Sequence, residues 1–343
     1  MKTGWILLCL TLFVGLAILP ARADETGEKT GRVGALLDPE MTFINPAWGS
    51  WTKRVGISQF PFVKIGQGAR AEGMGGAFTA ISDDISAAFW NPAGLGHVEH
   101  VAYTFNYTRW LANSKVFSGA LAFNAGFGVI GLNVVSFAAE EFEVTTPTAP
   151  FGTGEMAQVG DFAIGVTFTK RMTDKLMLGG QVRWMQEDLY LTKVSNIDYA
   201  IGTYFYTGFK SARLAMSFRN LGANVKVVEG GDTFQMPVLF NVGGAMEIWG
   251  EKADPLYATV AFEHQFMTDY KSINRVGVEA WFQNMVALRA GYRTSFELED
   301  WSIGAGLKRE LIPGKQLSVD ISYHNEKVGL FEAPLRISVG GTF

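Results

Sequence analysis

From about residue 99 to the end of the chain, apolar and polar residues alternate in short runs. In residues 162–169 the even positions are apolar, and in residues 103–108 the odd positions are aromatic. Alternation with a period of two predicts strands that carry one apolar face. Together with the turn residues between the runs, it predicts about fourteen strands. Their predicted starts lie near residues 99, 115, 126, 159, 174, 195, 210, 237, 256, 271, 285, 300, 315 and 333.

The composition indicates that the apolar face of these strands meets lipid. Hydrophobic residues make up 48% of the chain and charged residues only 18%, against about 25% charged in typical soluble proteins. After the first 23 residues, no apolar run approaches the ~20 residues of a spanning helix. In hydrocarbon every backbone polar group must pair, and a closed sheet achieves this without an edge. The fold predicted is therefore all-β, a transmembrane antiparallel β-barrel with an even number of strands.

The two ends of the chain agree with export to an outer membrane. Residues 1–23 combine Lys2, an apolar stretch and a small-residue ending at Ala23, which is typical of a secretory signal peptide. The alternative is an N-terminal membrane anchor, for which the apolar stretch is short. The chain stops on an alternating strand with an aromatic last residue, Phe343. That ending resembles the C-terminal strand of bacterial outer-membrane barrels, which implies that the barrel assembly machinery reads Phe343. The alternative is an edge strand of a soluble sheet.

Residues 24–98 do not fit the strand pattern, and within them residues 66–95 are rich in glycine. Glycine lets the backbone approach a crowded wall or adopt positive φ. Asp83 and Asp84 are good N-caps for a short helix over residues 85–90, which Pro92 would end. A dinucleotide loop lacks its full glycine spacing here, and a calcium loop lacks alternating oxygen ligands. What remains is a structural segment held by hydrogen bonds, with no ligand of its own.

The stretch GARAEGMGGAFTAISDDISAAFWNPAGL, residues 68–95, resembles the N-terminal signature of the PorV/PorQ family. That family is similar in turn to the FadL-type outer-membrane transporters of long-chain fatty acids. After the signal peptide at 1–23, the resemblance implies an extension and lumenal plug at 24–98 and an outer-membrane barrel of fourteen strands at 99–343. The signature positions are candidate ligand or plug residues: Gly68, Arg70, Gly73, Gly75, Gly76, Asp83, Asp84, Trp90, Asn91, Pro92 and Gly94.

Alternation also places a set of charged residues on the lumenal face: Arg183, Arg213, Arg219, Arg275, Glu279, Arg289, Arg293, Asp320 and Arg336. Buried charges need partners, so we expect them to pair with one another and with the plug. A charged porin eyelet is the alternative. Catalysis is not expected, because the four histidines have no partner set with recognisable spacing. Metal binding by His97, Glu99 and His100 is possible on spacing alone, but no metal or other cofactor is expected.

Two functions remain open. The family resemblance implies work beside the type IX secretion system, holding secreted cargo through its C-terminal domain. The alternative is FadL-like uptake of a hydrophobic small molecule such as a long-chain fatty acid. Either function makes outer-membrane lipid a partner. A net charge of -4 without a basic run argues against nucleic acid.

Overall fold

The chain forms a closed barrel of fourteen antiparallel strands. The computed structural model describes residues 58–227, 231–294, 299–327, 329 and 331–343. The predicted signal peptide and residues 24–57 lie outside these residues. The barrel strands are β1 (Val101–Arg109), β2 (Lys115–Asn124), β3 (Val129–Ala138), β4 (Gly160–Arg171), β5 (Leu176–Asp188), β6 (Lys193–Tyr206), β7 (Arg213–Gly222), β8 (Leu239–Trp249), β9 (Leu256–Met267), β10 (Ile273–Phe282), β11 (Val286–Arg293), β12 (Trp301–Ile312), β13 (Lys315–His324) and β14 (Leu335–Thr342).

Each strand pairs with its neighbours in the chain, and β1 pairs with β14 to close the barrel. The predicted count of fourteen is confirmed, and every strand begins within three residues of its predicted start. Phe343 extends the closing pair, because its backbone exchanges two hydrogen bonds with Val101 and its ring stacks on Tyr103 at 5.4 Å between centroids. Its role as an assembly signal remains a prediction.

The two faces of the wall differ as the alternation predicts. On β4, Phe162, Ile164 and Val166 point outward and are exposed, whereas Thr167 and Thr169 are fully buried. The outer face is therefore apolar, as lipid requires, and the inner face is polar. No helix among the described residues is long and apolar enough to span a membrane.

The connections at the two ends of the barrel differ in length. At one end, the short-turn end, no connection is longer than residues 207–212. At the other, the loop end, the connections include residues 139–159 and 223–238, each of which carries a hairpin of two-residue strands. These are Phe142–Glu143 with Met156–Ala157, and Val225–Lys226 with Thr233–Phe234. The two longest connections among the described strands therefore lie on the same side of the barrel.

Residues 58–98, the inner segment, run through the barrel from the loop end to the short-turn end. They form a 3-10 turn (Pro61–Lys64), helix α1 (Ala69–Gly73), helix α2 (Ala87–Trp90) and a second 3-10 turn (Pro92–His97). Ser58 forms a bridge with Gln235 in the 223–238 connection, whereas the backbone of Gly96 accepts a bond from Arg171 at the short-turn end. Its large apolar side chains are buried in the core, and they include Phe60, Phe62, Met74, Phe78, Ile81, Phe89, Trp90 and Leu95.

Candidate functional site

The inner segment meets the wall through glycines on both sides. A Cβ added to Gly179 of β5 would lie 2.4 Å from the carbonyl carbon of Pro92, and one added to Gly291 of β11 would lie 2.0 Å from the amide nitrogen of Gly75. Gly202 and Gly277 are equally close, to Asn91 Oδ1 at 2.0 Å and Met74 O at 2.6 Å. Main chain of the inner segment therefore rests directly on main chain of the wall, and these four positions have no room for a side chain.

The signature glycines of the inner segment lie where the backbone has positive φ or where other main chain approaches closely. Gly68, Gly75 and Gly76 all have positive φ, which other residues rarely adopt. Gly73 lies against Gly304 Cα of β12, and a Cβ on Gly94 would fall 2.1 Å from the carbonyl oxygen of Ser82. The expectation of positive φ and close approach at these positions agrees with the structure. Whether they also contact a ligand remains a prediction.

Arg70 of α1 is the centre of an ionic cluster towards the short-turn end. Its guanidinium lies 2.7 Å from both Asp83 and Asp84 and 2.8 Å from Glu279 of β10. Glu279 also pairs with Arg289 at 2.6 Å, and Arg289 pairs with Asp320 at 2.7 Å. Lys252, in the turn between β8 and β9, pairs with Asp83. We call these seven residues the Arg70 cluster.

The two aspartates therefore act differently from the sequence expectation. Helix α2 begins after Ser86, which makes no side-chain capping bond. Asp84 accepts from Ser86 N at 2.7 Å and so supports the turn before the helix, but Asp83 is an ion-pair partner. Burial disfavours the charged form of Asp83, yet Arg70 and Lys252 hold its pKa well below the usual value. A long-range pairing thus overrides local capping at Asp83.

A second cluster, the Glu72 cluster, is fully buried towards the loop end. It contains Glu72, Arg293, Glu299, His324 and Arg336. Arg293 lies 2.5 Å from both carboxylates, and Arg336 lies 3.2 Å from Glu72. Although burial opposes the charge on Glu72, Arg293 and Arg336 lower its pKa below the usual value. Within the described part of the chain, Glu72, Glu299 and His324 are the group whose spacing would suit a metal ion. Two guanidinium groups already balance the charge of the two carboxylates, so the cluster is neutral overall without a metal ion.

Trp90, at the end of α2, contacts two lumenal arginines through its ring. The Arg219 and Arg275 guanidinium carbons are 5.4 and 5.9 Å from its ring centroid, and its Nε1 donates to Gln67 O at 2.8 Å. A cation over the face of a buried aromatic ring is favourable because that face is electrostatically negative. Trp90 therefore joins the inner segment to β7 and β10.

Helix α2 ends at Trp90, just before Asn91 and Pro92, as expected from the proline. Asn91 is extended, and its Oδ1 accepts from Ala93 N at 3.1 Å, which fixes the turn into the Pro92–His97 helix. Its amide also donates to Thr203 O on β6 at 3.1 Å, and Pro92 O accepts from the Thr169 hydroxyl at 2.6 Å. These two hydrogen bonds connect the turn to β6 and to β4.

The predicted lumenal charges face inward and pair as expected. Sequence reasoning missed several of their partners, including Asp198 and Glu263. Asp198 lies directly across from Arg183 and pairs with it at 2.5 Å, and Glu263 lies across from Arg275 at 3.1 Å. The alternation that places the arginines inside places these carboxylates inside too, so the signal was present in the sequence.

The possible metal set at His97, Glu99 and His100 is not brought together. His97 Nδ1 contacts Gly94 O at 2.9 Å and its Nε2 contacts the Tyr206 hydroxyl at 2.8 Å. Burial lowers the pKa of His97, whereas Glu99 and His100 are exposed at the short-turn end. His97 is thus a packed residue at the end of the inner segment.

Comparisons with known proteins agree with this architecture. The family described as "Type IX secretion system protein PorV" matches residues 50–267. The fold is similar to that of the CymD monoaromatic hydrocarbon channel, with 14% identity, a TM-score of 0.55, and coverage of 81% of this chain and 98% of that one. It is also similar to the Pseudomonas putida toluene transporter TodX, with 11% identity, a TM-score of 0.55, and coverage of 80% and 96%. No curated protein matches the chain.

Proposed function

The chain belongs to the PorV family of type IX secretion system proteins, and we propose from this membership that it is an outer-membrane barrel that binds exported polypeptides outside its lumen. Within this proposal the loop end faces the cell exterior, since long loops collect there in bacterial barrels. The inner segment acts as a plug, and residues 1–23 are the signal peptide that directs export.

The observation that carries the proposal is the occupied lumen. The inner segment touches strands around the wall, and its contacts are ion pairs such as Arg70 with Glu279 and Arg293 with Glu72. Moving a solute through this lumen would require separating buried charges, which costs about 3–5 kcal/mol for each broken pair. Binding at the barrel's outer surfaces requires no such step.

Uptake of a hydrophobic small molecule is the second candidate, and the fold shared with the two hydrocarbon transporters favours it. The inner face disfavours it where charged and amide side chains meet the inner segment, as at Gln181, Asn241 and Arg275. An apolar solute gains nothing from such a surface. The chain needs no catalytic residue for either function, and we propose none.

Deleting the gene in its host separates the two functions. Under the proposal, exported proteins that carry the type IX C-terminal domain stay cell-associated, while uptake of long-chain fatty acids and toluene is unchanged. Returning the intact gene restores export, which controls for effects on neighbouring genes. Normal export together with lost uptake of either hydrophobic compound would overturn the secretion function and support transport.

A further inference from the structure

Large apolar side chains are exposed on two neighbouring connections at the loop end, residues 139–158 and 188–192. We call these residues the loop platform. Phe151 is 97% exposed and Leu191 is 85% exposed, more than any other large apolar side chain in the described residues. The platform's exposed apolar side chains are Phe142, Phe151, Met156, Leu189, Tyr190 and Leu191. Exposed apolar groups that cluster, rather than scatter singly, mark interaction sites.

The loop platform is ordered by its own hydrogen bonds. Val144 N donates to Glu155 O at 2.8 Å and Thr153 N donates to Val144 O at 2.9 Å, which extends the small hairpin of the 139–159 connection. The Tyr190 hydroxyl donates to Glu155 at 2.6 Å and so ties the two connections together. A surface that is already ordered loses less entropy on binding than a free loop.

The charge on the loop platform is of one sign. Residues 139–158 contain Glu140, Glu141, Glu143 and Glu155, without a lysine or arginine. Asp188 adds a fifth carboxylate, and the nearby Lys193 is engaged with it at 2.6 Å. A partner must therefore supply positive charge. A second copy of this chain would oppose acid to acid, and anionic lipid headgroups are repelled in the same way.

We propose that the loop platform binds a segment of an exported polypeptide that carries lysine or arginine beside apolar side chains. This rests on the proposed function and specifies the surface and the chemistry of recognition. Phe151 and Leu191 enter the partner's apolar contacts, and Glu140 and Glu141 face its cations. Glu140 accepts from Asn113 Nδ2 at 3.0 Å in an exposed bond. Glu143 and Glu155 hold the loops in shape, since Glu143 accepts from Gly154 N and Glu155 from Tyr190.

Binding is measured on the full chain in nanodiscs of zwitterionic lipid, with empty nanodiscs as the blank. The probes are three short fluorescent peptides that alternate Lys with Leu, Glu with Leu, and Lys with Ser. We expect the Lys–Leu peptide to bind most tightly and to weaken as salt rises. Phe151→Ser with Leu191→Ser, and separately Glu140→Gln with Glu141→Gln, should each weaken it about tenfold or more.

The matched control replaces the same two residue types at the opposite end, Phe209→Ser with Leu311→Ser, whose side chains are also largely exposed, at 66% and 63%. This control should bind the Lys–Leu peptide like the parent chain. Equal affinity of the platform variants and the control would overturn the proposal, as would equal binding of the Glu–Leu peptide. A membrane role for the platform would also overturn it. That role would appear as quenching of the added fluorescence of Phe151→Trp by brominated lipid.

The same variants separate this proposal from the proposed function in cells. If deletion retains exported proteins and the Phe151→Ser, Leu191→Ser chain fails to release them, both stand. If that variant restores release as fully as the control variant, the platform proposal fails and the secretion function stands. If deletion retains nothing, the secretion function fails, and the peptide measurement alone then decides whether the platform binds basic apolar segments.

Discussion

Replacing Gly179 with alanine should loosen the inner segment without opening the barrel. The new Cβ would lie 2.4 Å from the carbonyl carbon of Pro92 and 2.5 Å from the amide nitrogen of Ala93, about 1 Å inside normal contact. Both atoms are main chain, and Thr169 holds Pro92 O at 2.6 Å, so the turn cannot yield freely. Overpacking costs about 1–3 kcal/mol, and losing the Thr169 bond adds about 1 kcal/mol.

A total of about 2–4 kcal/mol corresponds to about 30-fold to several-hundred-fold faster local opening, at tenfold for each 1.4 kcal/mol. Hydrogen exchange of residues 90–96, followed by mass spectrometry on the full chain in detergent, measures this opening directly. Gly180→Ala is the matched control, because Gly180 is the next residue of β5 and faces outward. Its added Cβ would meet only Ala200 O, at 4.0 Å. The effect of alanine on the unfolded chain is shared by both variants.

The barrel itself should survive both substitutions, and unboiled gel mobility checks that it does. If residues 90–96 exchange at the same rate in Gly179→Ala and Gly180→Ala, the inner segment does not rest on β5 as described. The argument that wall glycines receive its main chain would then be refuted.

Two further predictions concern the ionic clusters. Because the pKa of Asp83 is lowered, its ion pairs stabilise the docked segment fully above the ordinary carboxyl pKa of about 4, and this stabilisation declines as the pH falls from there through the lowered pKa. Pepsin cleavage within residues 66–98 should therefore accelerate from about pH 4 towards pH 2, and Asp83→Asn should be cut faster at pH 4 with a flatter profile; identical profiles would contradict this. At the Glu72 cluster, zinc should leave the melting temperature unchanged relative to a chelator, because Arg293 already lies 2.5 Å from Glu72 and Glu299. A zinc-dependent rise that Glu299→Gln abolishes would show a metal site instead.

Much of the wall could be predicted from the sequence because lipid and lumen impose opposite demands on alternate residues. In residues 162–169 the alternation of apolar and polar positions shows which side chains face lipid. The same alternation places Arg183 on the lumenal face. Alternation along a strand does not determine which carboxylate pairs with which arginine, because that depends on the register between strands. The register between β5 and β6 places Arg183 opposite Asp198, and only this register determines their pairing.

The inner segment was harder to predict because its contacts are long-range. Asp83 looks like a helix cap when read with its neighbours, yet Arg70 binds it across a turn and Glu279 completes the group from β10. Gly179 and Gly291 look like weak points within strands. Glycine is required at these positions because Pro92 and Gly75 pack against them. Both are far away in the chain, so no local sequence pattern predicts the requirement.

The route of the inner segment sets a condition on the order of assembly. It passes from Ser58 at the loop end to Val98 at the short-turn end, and its partners lie on both early and late strands, from Thr169 on β4 to Arg336 on β14. Pulling such a chain through a finished cylinder would drag buried charges past one another. This is avoided if β1 pairs with β14 after the inner segment is in place. Closure of the barrel would then be the last step of assembly and would depend on that segment.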